Sequence, residues 1–307
     1  MPRRARDEGG LTAPPAEAST GGSNDVIEAK PLTHWGRWVS AILVLAGVAF
    51  LVRAALQAEI SYSTTFDFLF SSTVVTGALN TILISVAAQA VGIALGVVAA
   101  VMRISDNPVT KYVSMLYVWL FRGTPILVQL LLWYNLALVF PMILGQSTND
   151  LMTPFLAALL GLGINEGAYM AEIIRSGLLS VDEGQNDAAA ALGMSRQQAL
   201  RRVVLPQAMR VIVPPTGNEF INMLKLSSLA YAIQYGELLL SAVKIYTNNL
   251  QIVELLLTVS IWYIAITSVF SVLQHFVERR FARSVSGGDV RLGSRIFANL
   301  KLGRTAS

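Results

Sequence analysis

Six long apolar runs alternate with short polar stretches along this chain, at roughly 38–57, 73–102, 116–140, 152–177, 211–235 and 252–276. A helix needs about 20 apolar residues to cross a bilayer, and each run supplies roughly that number. Backbone groups in hydrocarbon must bond within their own segment. The runs are continuous rather than alternating, which excludes a β-barrel, so the pattern predicts about six transmembrane helices in an all-α membrane protein. Trp35, Trp38, Tyr112, Tyr117, Trp119, Trp133 and Tyr246 lie near run ends, where amphipathic rings suit the membrane–water interface.

Charge orients these spans. Residues 1–37, 103–122, 175–210 and 279–307 would face one side and together hold twenty Lys or Arg. The segments 58–72, 141–151 and 236–251 would face the other and hold only Lys244. Cytoplasmic loops carry the cationic excess, so both termini and the loop between the fourth and fifth spans are expected in the cytoplasm. Arg53 and Lys225 fall inside runs; Arg53 is near enough to an end to snorkel.

Composition adds limits. Of 307 residues, 54% are hydrophobic and 14% charged, well below the roughly 25% charge of soluble domains. There is no cysteine, and His34 and His275 are far apart, which argues against thiolate chemistry and a histidine metal site. No Gly-x4-Gly-Lys-Ser/Thr phosphate loop occurs, so no means of hydrolysing ATP is visible. Residues 1–30 are rich in Gly, Pro, Ala and charge and are read as a disordered cytoplasmic segment. Residues 31–72 would hold the first span and an external loop, and 284–307 a basic cytoplasmic tail.

The loop at 180–206 carries the most specific local pattern. Ser180-Val181-Asp182-Glu183 and Ser195-Arg196-Gln197-Gln198 both have the form of a capping box. Gly193 lies between them, where a helix end favours glycine for its positive φ. Pro206 is expected to end or kink a helix. The loop therefore reads as helix, glycine turn, helix, then a break into the fifth span. Four consecutive alanines, 188–191, make the first helix slim enough for close approach by a partner. A merely solvated helical loop would fit the same residues. A DNA-binding helix-turn-helix is disfavoured, because the spans on either side leave it no core of its own.

The same loop resembles the cytoplasmic signature of binding-protein-dependent ABC importer permeases, Glu-Ala-Ala-x3-Gly-x9-Ile-x-Leu-Pro. Asp187-Ala188-Ala189, Gly193 and Val203-x-Leu205-Pro206 match its spacing, with Asp for Glu and Val for Ile. Phe121-Arg122-Gly123-Thr124-Pro125, the stretch from Ala168 to Gly177 and Gly217-Asn218-Glu219-Phe220-Ile221 resemble the polar amino-acid branch of the family, the histidine/glutamine/glutamate type. After Lys225 the branch usually has Asp-Thr-Ser-Leu, whereas this chain has Leu226-Ser227-Ser228-Leu229.

The resemblance implies a type I, MetI-like permease core over about 73–283, with one extra N-terminal span. It implies that the 180–206 loop docks on a cytoplasmic ATPase subunit. Glu183, Asp187, Ala188, Ala189, Leu192, Gly193, Arg201, Leu205 and Pro206 are then its contact or shape-determining residues. The implied partners are ABC ATPase subunits carrying ATP and Mg, an extracytoplasmic solute-binding protein and a second permease chain. No cofactor on this chain and no nucleic acid are expected.

Polar residues inside the runs are candidates for the translocation path. Asn218, Asn222 and Lys225 share a helix face by spacing, and Glu166 lies deep in the fourth run. Packing is the competing role, and it is the default for Gln129, Asn135, Gly92-x3-Gly96 and Gly163-x3-Gly167. Glu172 is expected to pair with Arg175. Arg122 is expected to reach cytoplasmic headgroups at a Gly-Pro kink. An independent secondary transporter would leave the 180–206 pattern unexplained, and a scaffold without transport would leave the buried Lys225 and the Asn stripe unexplained.

Overall fold

The computed structural model describes residues 35–57 and 60–282; the predicted disordered segment and basic tail lie outside the described residues. The chain divides into two units, residues 1–59 and 60–307. The first contributes helix α1 (Trp35–Gln57), whose 23 mostly apolar residues extend about 35 Å.

In the second unit a short helix, α2 (Tyr62–Leu69), precedes α3 (Ser72–Ile104), α4 (Pro108–Gly123) and α5 (Ile126–Tyr134). A two-stranded hairpin, β1 (Met142–Ile143) and β2 (Gln146–Ser147), leads through α6 (Thr148–Leu151) to α7 (Pro154–Leu179). Two loop helices follow, α8 (Glu183–Ala191) and α9 (Arg196–Ala199). The last helices are α10 (Leu205–Leu226), α11 (Leu238–Asn249) and α12 (Ile252–Ala282). Local sequence sets the starts: Ser71 caps α3, and Asn107 and Thr153 cap α4 and α7, each with proline at the first helical position.

Helices stand on all six predicted runs. Residues 38–57, α3 and most of α12 are long and apolar enough to cross a membrane, and α4 with α5 make a fourth span if counted together. Helices α7 and α10 carry more polar residues and do not meet that measure.

Two predicted boundaries are wrong. The third run starts at Pro108 rather than 116 and is broken at Thr124-Pro125, where α5 turns 102° away from α4. Pro125 has no N–H, so carbonyls at the end of α4 lose helical partners. Side chains replace them. Gln129 donates to the carbonyls of Phe121 (3.0 Å) and Thr124 (3.1 Å), and Asn165 of α7 donates to Phe121 (2.7 Å). Gln129 is therefore packing glue as expected. Asn135 is not, since its amide donates to Leu131 of its own helix.

The fifth run is also displaced. Helix α10 begins at Leu205 and ends at Leu226, followed by a 3-10 turn over Ser227–Ile233. Its amphipathic first turns lack the apolar density that marks a span, yet they are helical. The segment expected as an external loop holds α11. Glu237 fixes its start by accepting from the Leu239 and Leu240 amides at 2.7 Å each and from the Tyr263 hydroxyl at 3.0 Å.

The most extensive helix packing is α3 against α7. Both predicted glycine pairs lie in this crossing. A Cβ on Gly92 would overlap Glu166, one on Gly96 would overlap Met170, and one on Gly167 would overlap the Tyr117 hydroxyl. Tyr117, expected at the membrane interface, donates to the Ile164 carbonyl of α7 at 2.6 Å and so ties α4 to this crossing.

Candidate functional site

The loop between α7 and α10 is built from strong local signals. Helix α8 starts at Asp182, whose carboxylate accepts from the Gly184 amide at 2.8 Å. The predicted capping box at Ser180 does not form, because α7 runs on to Leu179 and the Ser180 hydroxyl donates to Gly177 at its C-terminus. The second predicted box is present: Ser195 and Gln198 cap reciprocally at the start of α9. Gly193 has φ +75°, and the amides of Gly193 and Met194 bond to Ala190 (2.9 Å) and Ala189 (3.0 Å). This is the paired closure that a left-handed glycine permits after a helix.

The expected break at Pro206 is absent. A π-helical turn over Leu200–Val204 joins α9 to α10 without interruption, and the Leu205 amide reaches back five residues to Leu200. The ring of a proline clashes with the carbonyl four residues earlier, and a widened turn at that point relieves the clash. Helix α9 is thus continuous with α10, while the Gly193 turn separates α8 from both.

Most of the predicted loop residues are exposed: Glu183, Asp187, Ala188, Leu192, Gly193, Arg201, Leu205 and Pro206. Leu192 is among them at 77% exposure. Ala189 is buried, so its role is to seat the helix. With Ala199 and Val204 it holds the loop against the ends of the long helices, beside a crevice of about 670 Å³ that Ile104, Leu178 and Met194 help to line. Gln207 of α10 donates to Gln185 of α8 at 3.2 Å, a second tie between loop and span.

The predicted path residues fall in two places. Asn218, Asn222 and Lys225 are exposed along one face of α10. Lys225 is not buried in mid-span; it sits in the last helical turn, where a cation complements the helix dipole. Glu166 is only 3% exposed, packed over Gly92, and accepts from the Gln89 amide at 3.2 Å.

Glu219 links the two groups. Its carboxyl is hydrogen-bonded by the Asn222 side chain and lies within electrostatic reach of Glu166 and Arg122. Arg122 stands near the end of α4. It lies 14 residues, about 21 Å, along that helix, and its guanidinium stacks 5.0 Å over the Tyr169 ring of α7. Sequence reasoning missed Glu219, although its spacing of three from Asn222 was a signal for a shared face.

Two arginines converge on one carboxylate near the loop. Glu172 bonds Arg175 as expected, at 2.9 Å, and also Arg103 of α3 at 2.9 Å.

Comparison with known proteins assigns this architecture. Residues 92–283 match the family described as binding-protein-dependent transport system inner membrane component. The chain belongs to that family. It is 46% identical over 264 residues to the arginine transport system permease protein ArgU of Corynebacterium glutamicum, covering 84% of each chain. It is 37% identical over 205 residues to the glutamine transport system permease protein GlnP of Escherichia coli, covering 66% of this chain and 90% of that one. A crystal structure of an amino acid ABC transporter with histidines superposes with a TM-score of 0.65 at 35% identity, over 73% of this chain and all of that one.

The MetI-like fold and membrane localisation follow from these matches, as does a subunit without enzymatic activity in a system whose ATPase is a separate chain. Family members work with ATPase and solute-binding partners.

Proposed function

We propose that this chain is the transmembrane permease subunit of an ATP-driven importer for a polar amino acid. It would cross the cell membrane six times with both termini in the cytoplasm. It would form half of the translocation pathway beside a second permease chain, identical or related. The observation that carries the reading is the rigid, exposed α8–α9 unit fused through a π turn to α10, the helix with the polar face.

In this reading Glu183, Asp187, Ala188, Leu192, Gly193, Arg201, Leu205 and Pro206 meet or shape the contact with the ATPase, and Ala189 positions it. Movement of two ATPase subunits on binding ATP and Mg would be passed through α9 to α10 as a rigid displacement, because no break separates those two helices. Asn218, Asn222 and Lys225 would line the route, with Glu166 behind them. Arg122 and Glu219 supply a cation and an anion close together, a pairing that suits a zwitterion. An external solute-binding protein would deliver the substrate and set most of its selectivity.

Reconstitution tests this. The chain is co-expressed with its ATPase and supplied with the solute-binding protein in vesicles, and uptake of labelled arginine, glutamine and cystine is measured. Uptake of one of these that needs both ATP and the binding protein is expected. Uptake that proceeds without ATP or without the ATPase overturns the reading.

A further inference from the structure

The crossing of α3 on α7 buries a side-chain acceptor that nothing serves. The Oε1 of Gln89 is enclosed and has no hydrogen-bond partner, alone in this among the buried side-chain nitrogens and oxygens of the described residues. Gln89 as a whole is 6% exposed. Its amide nitrogen is occupied: it donates to Glu166 Oε1 at 3.2 Å, with the Met170 sulfur at 3.6 Å. A buried amide oxygen left without a donor is uncommon and costly, so the site calls for a donor beside it.

Glu166 is that neighbour, and it has the complementary problem. The two ion pairs among the described residues both fall on Glu172, so the buried Glu166 carboxyl has no cation. An ionised carboxylate taken out of water without one is strongly disfavoured. The groups around it do not supply one. From α3 it meets the uncharged Gln89 amide, and a Cβ on Gly92 would overlap its Cγ, so the two helices are pressed together at this point. From α4 the Tyr117 hydroxyl is committed to the Ile164 carbonyl. From α10 the ionisable group within electrostatic reach is Glu219, whose charge opposes a second negative one. Arg122 lies over the Tyr169 ring and acts on Glu219.

We infer that in the substrate-free protein Glu166 binds a proton and forms a reciprocal pair with Gln89, amide N–H to carboxyl oxygen and carboxyl O–H to amide oxygen. One proton taken from water answers both needs: it removes the unpaired charge and gives Gln89 Oε1 its donor. Turning the amide over does not change this, since its oxygen would then face the carboxyl, and two acceptors are joined only through a proton. Gln89 is thus the positioning residue for a neutral acid. Glu219 and Arg122 are left as the charged pair beside the polar face of α10. That last consequence rests on the permease reading above, whereas the proton does not.

The test is difference infrared spectroscopy on the full-length chain in phospholipid vesicles, parent against Glu166→Gln. At about pH 7 exposed carboxyls are ionised and absent from the acid carbonyl region. The parent should show an acid carbonyl band that shifts in heavy water, as an exchangeable O–H requires, and that Glu166→Gln loses. Gln89→Leu should move this band to higher frequency, because the acid has lost its partner. Where Gln89→Leu does not fold, Gln89→Asn, too short to close the pair, is read in the same way. A Glu166-dependent signal made of carboxylate stretches overturns the proton, and a band that ignores both Gln89 variants overturns the pairing. None of these readouts involves uptake, so a chain that failed to transport would overturn the permease reading and leave the proton standing.

Discussion

At the scale of single residues, the site depends on backbone conformations and contacts that few residue types permit. Gly193 holds φ +75° at the turn between α8 and α9, with nothing within 4 Å of where a Cβ would stand. Space is therefore not what restricts it; the left-handed backbone is, at roughly 1–2 kcal/mol for an ordinary side chain and more for a β-branched one. Gly193→Val should reduce both ATPase co-purification and ATP-driven uptake by about 5- to 30-fold. Gly193→Asn, which tolerates that conformation, should retain most of both. Equal losses in the two variants would show that the turn's backbone is not what matters.

At the scale of elements, the break between α4 and α5 is the clearest case of side chains standing in for helix bonds. Gln129→Leu would strip the Thr124 carbonyl of its donor, remove one of two donors at Phe121 and leave the Asn165 amide with one acceptor instead of two. A loss of about 1–3 kcal/mol is expected, read as a lowered Tm of the detergent-solubilised protein. Asn135→Ala removes only an exposed bond within its own turn and should stay within about 0.5 kcal/mol of the parent. Matching Tm values for the two would remove the argument.

The elements also explain what could be read from sequence. All six apolar runs are helical, and the Ser195 box and Gly193 turn are local signals that nothing overrode. Ser180 failed because α7 runs on to Leu179, two residues past the predicted run, and makes Ser180 its own C-cap. The start of α10 was missed because helix formation there follows an amphipathic face packed on α7, with Ala208 and Ile212 buried, rather than continuous apolarity. The contact of Arg122 with Tyr169 was not legible, because a cation near a Gly-Pro break looks like a loop residue when charges are counted along a line and its stacking partner lies 47 residues on.

At the scale of the whole molecule, the question is what the exposed stripe on α10 faces. Asn218, Asn222 and Lys225 are exposed in the single chain; Asn218 accepts from Gln274 of α12 at 3.1 Å, and Asn222 bonds Glu219 within α10. If they line a transport route, Asn222→Leu, which costs a bond within α10 and none between helices, should stay within about 0.5 kcal/mol of the parent's stability while uptake falls about tenfold, the effect of a lost ~1.4 kcal/mol interaction. If they serve packing instead, Tm should fall and uptake should track the amount of folded protein.

Near the loop, Glu172 of α7 receives Arg103 from α3 and Arg175 from its own helix. Either arginine can be lost and the carboxylate still keeps one cation, so substitutions at these two positions are individually buffered. Loss of Glu172 has no such reserve: it leaves two guanidinium groups side by side with their common anion gone. Mutational tolerance at this crossing is therefore lopsided, with two replaceable positions leaning on one that is not.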